Sequence, residues 1–422
     1  MSDNIYDIFG INSDIVKKSE EIEERLKPIF KEYEKNCLKA SSKVLKAFQN
    51  NKVSTTDFNE ITGYGYYDGG REKLERVYSE VFGAEDALVR PQIMSGTHAI
   101  SLCLFGLLKH GDTMISISGE PYDTLKSVIG TSGDSENSLI KHGIKYEEID
   151  LIDSDFDYDK ISERLRANDV RLVEIQRSRG YSLRKSLNIE KIESVIKTIR
   201  EVNKDVIIMV DNCYGEFVEE KDPIEVGADV FASSLMKNLG AGIATSGGYV
   251  VGKKKYIHMI AEALTTPCIG KDLGANFNQL LSYYKGLFMA PKVVEQALKS
   301  MTFASLLLEE NGFKISPSYD EKRADIIQTI ELGTEENLIK FCQGMQKGSP
   351  IEAYVIPEPD DMPGYPHKEI MAGGTFTPGA TIELSCDGPL CPPYIAYMQG
   401  GLTYEYGKLG VMMGLQNMQL NK

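Results

Sequence analysis

The chain has 422 residues, 42% of them hydrophobic and 26% charged, which is enough to bury a large core across two or three domains. Its formal charge of −15 carries no basic clusters, which argues against nucleic acid and anionic membranes as partners. No run approaches the roughly 20 apolar residues of a membrane span, the start Met1-Ser2-Asp3-Asn4-Ile5-Tyr6-Asp7 lacks a secretory pattern, and the seven cysteines form no C-x-x-C pair. A cytoplasmic enzyme with reduced thiols and no metal centre is expected.

The spacing of Ile22, Leu26, Ile29, Tyr33 and Cys37 predicts a helix over residues 13–50, with Ser13 as its N-cap and a kink or break at Pro28. Such an amphipathic segment must pack on its own domain or on a second subunit. Residues 59–71 are rich in glycine and tyrosine. From 72 onward helix and strand alternate. Helices are expected over 72–82, 97–109 and 188–203, and strands over 113–118, 144–149, 170–176, 206–210, 229–233 and 248–252. That order predicts an α/β fold with a mostly parallel sheet covered on both faces, and with ligands at the strand ends.

Residues 276–310 read as helix interrupted at Pro291. Beyond Gly312 come β-prone runs at 326–330 and 353–356, a polar Gly/Pro-rich stretch at 357–379, and a closing helix after Gly401. A smaller C-terminal α+β domain follows from this. The expected division is a helical segment over 1–58, a large domain over 59–300 and a small one over 301–422.

Three short motifs carry chemistry. Ser95-Gly96-Thr97 opens an apolar helix, where free N–H groups, a positive dipole end and two hydroxyls face any anion; a plain helix cap would look the same. Asp211 ends the apolar run Val206–Val210, either capping a turn or holding a proton on a cationic nitrogen. Lys237 lies in Ser233-Ser234-Leu235-Met236-Lys237-Asn238, ahead of Gly240 and Gly242. Its neighbours are small and apolar, so partial burial is expected to lower its pKa and make the amine a nucleophile. An anion cradle, a strand-end carboxylate and a lysine in a tight turn, in that order, are the parts that hold pyridoxal phosphate.

The chain resembles a fold-type-I pyridoxal-phosphate enzyme of cysteine and methionine metabolism. More closely, it is similar to the bacterial family labelled methionine gamma-lyase-like or aluminium-resistance protein, and also labelled cystathionine beta-lyase. The resemblance rests on GYGYYDGGREKLERVY (63–78), VRPQIMSGTHAI (89–100), DNCYGEFVE (211–219), SLMKN (234–238), SGGYVVG (246–252) and IELSCDGPLCPPYIAYMQGGLTYE (382–405). It implies a large cofactor domain, a smaller C-terminal domain, and homodimers paired into tetramers with shared active sites. It further implies that Lys237 binds pyridoxal 5'-phosphate as a Schiff base and that Asp211 pairs with the ring nitrogen. Ser95, Gly96, Thr97 and Ser234 would hold the phosphate. Tyr122 would stack on the ring, and Gln176 would reach the ring hydroxyl. Tyr64 and Tyr66 stand where relatives carry a Tyr-Ser-Arg element that contacts a partner's phosphate, and the nearest arginine here is Arg71. Arg179, Arg184 and Arg323 remain for the substrate carboxylate.

The implied reaction is carbon–sulfur elimination from cystathionine, cysteine or methionine to a keto acid and ammonia. Lys237 would remove the α-proton and Tyr122 would assist the leaving thiolate. Aldol cleavage, transamination, or a silent cofactor-binding role in stress tolerance are the alternatives.

Overall fold

The computed structural model describes residues 5–65, 67–362 and 365–419. The chain folds as two units, Lys39–Ala290, and Met1–Leu38 with Pro291–Lys422.

The first of these is built on a seven-stranded sheet. Its strands are β1 (Asp86–Arg90), β2 (Thr113–Ser116), β3 (Lys145–Glu148), β4 (Val170–Gln176), β5 (Ile207–Asp211), β6 (Val230–Ser234) and β7 (Gly248–Gly252), in the spatial order β1-β7-β6-β5-β4-β2-β3. Strands β2 to β6 pair in parallel, while β7 runs antiparallel to both β6 and β1. This is the mostly parallel α/β sheet expected. The central strands β5, β6 and β7 are buried along their whole length, which is why they read as near-continuous apolar runs.

Along the chain the helices are α1 (Ser13–Asn50), α2 (Gly69–Val81), α3 (Gly96–Leu107), α4 (Asp123–Ile129), α5 (Tyr158–Leu165), α6 (Ile189–Val202), α7 (Lys254–Leu264) and α8 (Leu280–Glu309). Helices α3 to α6 lie between successive strands, and the others precede or follow the sheet in the chain. α6 shows the logic. Ile192, Val195, Ile196 and Ile199 recur at helical spacing and are buried, and Asn188 caps the start by accepting the Lys191 N–H. α3 is apolar nearly all round and is packed between the sheet and α7, so its N-terminus is fixed at the edge of the core.

The other unit holds an antiparallel sheet of β8 (Lys314–Ser316), β9 (Ile327–Glu331), β10 (Glu369–Ala372), β11 (Ser385–Pro389) and β12 (Ile395–Gln399), in the order β10-β11-β12-β9-β8. Helices α9 (Glu335–Lys347) and α10 (Tyr404–Gln419) pack together against it.

Four local expectations are corrected. The cap of α1 is Asn12, not Ser13: the Asn12 side chain accepts the Asp14 N–H at 2.8 Å. Pro28 and Pro291 do not divide their helices. Each removes one N–H from the ladder, a loss that the burial of Leu26 and Ile22, and of Ala290 and Val294, offsets. Residues 353–356 form no strand: Tyr354, Val355 and Ile356 are exposed, and among the described residues no neighbouring strand pairs with them. Among the described residues, no helix is long and apolar enough to cross a membrane.

Candidate active site

Parallel pairing aligns the carboxyl ends of three neighbouring strands. Gln176, the last residue of β4, stands opposite Asp211, the last residue of β5, and Asp211 stands opposite Ala232 of β6. β6 ends two residues later at Ser234, and the chain then turns through Lys237. Register partners share a sheet face, so these residues converge at one rim.

The N-terminus of α3 meets that rim. Ser95 caps it, its hydroxyl accepting the His98 N–H at 3.1 Å and its carbonyl the Ala99 N–H at 3.0 Å. The N–H groups of Gly96 and Thr97 are thereby left at the open end, where an anion is favoured. Gly96 has no room for a side chain. A Cβ there would lie 2.9 Å from the Ser234 Cβ and 3.4 Å from the Cys213 Sγ. Only glycine lets the helix end approach β6 this closely.

Tyr122 closes the other side. Its hydroxyl donates to Thr97 Oγ1 at 3.1 Å, and its N–H donates to Gln176 Oε1 at 2.9 Å. The other end of the Gln176 amide donates to the Ser178 carbonyl, so Gln176 ties the Tyr122 turn to β4. Burial, then the Asp211 charge, pushes the Tyr122 phenol well above its usual range. It is a proton donor at neutral pH.

Asp211 is buried, and its carboxylate accepts the Cys213 N–H at 3.0 Å. Ser234 Oγ accepts the Met236 N–H at 3.0 Å, which shapes the turn before Lys237. The Lys237 amine lies 4.0 Å from the centre of the Tyr214 ring. Its pKa is raised, not lowered as the sequence suggests. Burial does push it down, but Cys213, Tyr214, Asp211 and Tyr122 together push it further up. The carboxylate of Asp211 and the face of an aromatic ring both favour an ammonium.

The structure therefore brings together Ser95, Gly96, Thr97, Tyr122, Gln176, Asp211, Ser234 and Lys237. It does not draw in Tyr64, which is 77% exposed. Tyr66 lies outside the described residues. Arg71 is buried and donates to the carbonyls of Gly274 and Asp272, so it serves the packing of its own loop. Arg184 is bound to the carbonyls of Gln176 and Ser178, both at 2.7 Å. Arg179 is buried, and Arg323 bonds Thr302 and the Ile327 carbonyl in the other unit.

Two residues were missed. Tyr214 supplies the ring against Lys237, and Cys213 is buried between Gly96 and Asp211, its thiol pushed up to about 12 by burial and by the Asp211 charge. The signal available was the run Asp211-Asn212-Cys213-Tyr214-Gly215, where a turn after a strand end carries an aromatic residue just before glycine.

Residues 15–419 match the family model described as methionine gamma-lyase. The YnbB protein of Bacillus subtilis, itself described as uncharacterized, is 46% identical over 410 residues, covering 96% of this chain and 97% of its own. A crystal structure from Clostridium acetobutylicum, named "putative cystathionine beta-lyase involved in aluminum resistance", matches with a TM-score of 0.95 at 45% identity, over 99% of this chain and 98% of that one. The pyridoxal-5'-phosphate dependent protein YhfS of Escherichia coli shares the fold, with a TM-score of 0.63 at 16% identity over 92% of this chain and 96% of its own. The architecture is that of the fold-type-I class.

Proposed function

The chain belongs to the methionine gamma-lyase family, and we propose that it is a pyridoxal-phosphate-dependent carbon–sulfur lyase acting on a sulfur-containing amino acid. One observation carries this reading: an amine, a buried carboxylate and a glycine-tight helix N-terminus meet at the carboxyl ends of adjacent strands. The donor set fits the cofactor. The α3 N-terminus, with the hydroxyls of Ser95, Thr97 and Ser234, suits a phosphate. Asp211 suits a protonated ring nitrogen, and Lys237 an aldehyde carbon.

When bound, pyridoxal phosphate supplies an electron sink that acidifies the α-C–H of an amino acid. Asp211, through its negative charge, would hold a proton on the ring nitrogen. Lys237 Nζ, as a neutral amine, would be the base that takes the α-proton. Before it takes an aldehyde, the Lys237 amine lies against the face of the Tyr214 ring. Tyr122 keeps its phenolic proton, and so has one to give to a departing thiolate. Thr97 orients that hydroxyl.

The test has two parts. Borohydride reduction of the purified protein, followed by peptide mapping, is expected to put a pyridoxyl group on Lys237; an adduct confined to another lysine refutes the assignment. Assays of cystathionine, cysteine, methionine and threonine for thiol, keto acid and aldehyde then read the reaction. Aldehyde from threonine with no thiol from any substrate would replace elimination with aldol cleavage.

A further inference from the structure

β4 carries one acid within its apolar stretch. Glu174 is fully buried, and its register partner on β2 is Ser116. Ser116 Oγ lies 2.9 Å from Glu174 Oε2 and 2.9 Å from the Gly119 carbonyl oxygen. A serine hydroxyl has one hydrogen, and a carbonyl can only accept. If Ser116 donates to Gly119, then Glu174 must donate to Ser116 and must carry a proton. The opposite assignment sets the Gly119 oxygen against the Ser116 lone pairs. It also leaves Glu174 Oε1, which has no hydrogen-bond partner, as a charged oxygen sealed from water. The neutral acid avoids both costs.

The surroundings agree. Glu174 shares a sheet face with Gln176 and Asp211, two residues from the rim. Burial, then the Asp211 charge, pushes its carboxyl up to about 8, against the Ser116 hydrogen bond and Arg184, which pull it down. From β3 it is faced by Tyr146, whose phenol is itself pushed up by burial and then by Glu148.

We propose that Glu174 is a positioning residue held as a neutral acid, whose proton, relayed through Ser116 to the Gly119 carbonyl, fixes the turn that carries Tyr122. The same turn is stitched to β4 three times more: the Glu174 carbonyl accepts the Ile117 N–H, Ser118 Oγ accepts the Gln176 N–H, and Gln176 Oε1 accepts the Tyr122 N–H. Loss of the proton turns the Ser116 hydroxyl away from Gly119 and sets a second carboxylate near Asp211. The turn then loosens, and the Tyr122 hydroxyl loses its seat on Thr97. The consequence for catalysis rests on the lyase reading of Tyr122; the protonation of Glu174 does not.

Infrared difference spectroscopy on the full chain tests the proton directly. A carboxylic-acid carbonyl component is expected that titrates away near 8, above that of Glu216 near 7, and that is lost in Glu174→Gln. Hydrogen exchange of peptides over residues 117–122, corrected for the intrinsic pH dependence of exchange, tests the relay. Protection in the wild type is expected to fall about ten- to a hundredfold across the same range, as for loss of a buried hydrogen bond. In Glu174→Gln it stays flat, because the amide donates to Ser116 at every pH. If that variant fails to fold, Ser116→Ala substitutes: the acid band remains, and the turn is weakly protected at all pH values. Absence of the Glu174 acid component, or a wild-type pH dependence of protection in either variant, overturns the proposal. Neither measurement uses a substrate, so failure here is separate from failure of the lyase assays.

Discussion

The Lys237 amine stands 4.0 Å from the centre of the Tyr214 ring, and Tyr214 is held at a φ of 69°, in the left-handed region. An aromatic residue gains nothing there by itself, and such strain costs about 1–3 kcal/mol. The turn is over-determined by its neighbours. Gly215 donates to the Asn212 carbonyl, and the buried Asn212 side chain accepts from Arg177 at 2.7 Å. The strain buys a ring face beneath an ammonium, worth about 0.5–2 kcal/mol. Tyr214→Leu is therefore expected to lower kcat/KM about 3- to 30-fold, and Tyr214→Phe by less. Equal losses would assign the role to the hydroxyl and not to the ring.

Asp211→Asn keeps the shape at the end of β5, and an amide oxygen can still accept the Cys213 N–H. It removes the charge. The variant is expected to retain much of its cofactor by absorbance and to lose activity about a hundredfold, the effect of roughly two pKa units of lost ring basicity. Near-normal turnover would make Asp211 a strand-end cap and nothing more.

Gly96→Ala probes the anion cradle. The new methyl would press on the Ser234 Cβ at 2.9 Å and on the Cys213 Sγ at 3.4 Å, and both residues are buried. Overpacking of this kind costs about 1–3 kcal/mol. The expected result is a modest drop in the urea midpoint with a larger, at least tenfold, weakening of phosphate-dependent cofactor binding. The affinity loss would be read by titration at fixed temperature.

Much of the candidate site was legible because its residues sit at strand ends, and strand ends are marked by a change from apolar to polar. Asp211 after Val210 and Gln176 after Ile175 are such marks, and β4 and β7 fall on the expected residues. β1 and the strands of the second sheet other than β9 were not legible. β11 reads Ser385-Cys386-Asp387-Gly388-Pro389, whose composition says turn; pairing with β10 and β12 makes it a strand. Tyr214 was hidden for another reason. Its ring meets a lysine 23 positions away in the chain only because of a backbone angle that no residue type announces. The direction of the Lys237 shift was misread because burial was visible in its neighbours, whereas Cys213, Tyr214, Asp211 and Tyr122, which raise it, gather around the amine only in the fold.

Glu216 makes a pH prediction. Its Oε1 accepts the Tyr249 hydroxyl at 2.6 Å, and burial raises its carboxyl from 4.5 to about 7, with Ser233 and Tyr249 pulling it back. Below 4.5 the group is protonated in folded and unfolded chains alike and contributes no slope. Between 4.5 and about 7 the folded chain binds a proton that the unfolded chain lacks, so stability falls as pH rises. Above that, both states are ionised and the full penalty, on the order of 3 kcal/mol, is present. Urea unfolding of wild type and Glu216→Gln across this range should show the wild type losing stability relative to the variant as pH increases. Parallel curves would mean that Glu216 ionises normally in the fold.

The loop over residues 63–71 is expected to serve a partner's site. Its backbone is anchored on its own unit: a side chain at Gly63 would collide with the Gly274 carbonyl, and Arg71 donates to that same carbonyl at 2.7 Å. Tyr64 and Tyr67 are not anchored in the same way. Tyr64 is 77% and Tyr67 71% exposed, a poor use of two large rings unless something covers them. Glycines at 65 and 69 let the loop approach a ligand closely, and the phenols are donors suited to a phosphate. The check is complementation. Lys237→Ala, inactive through its amine, is mixed with a double Tyr64→Phe and Tyr66→Phe variant, inactive through its loop, under conditions in which subunits exchange. A shared site predicts regained activity, because some mixed dimers carry one site with both parts intact. Random pairing of equal amounts makes about half of the dimers mixed, and each of these holds one good site of two, so roughly a quarter of wild-type activity is the ceiling, a simple counting consequence of two-fold symmetry. If exchange is shown by mass, the double variant is inactive and no activity returns, the loop acts within its own subunit.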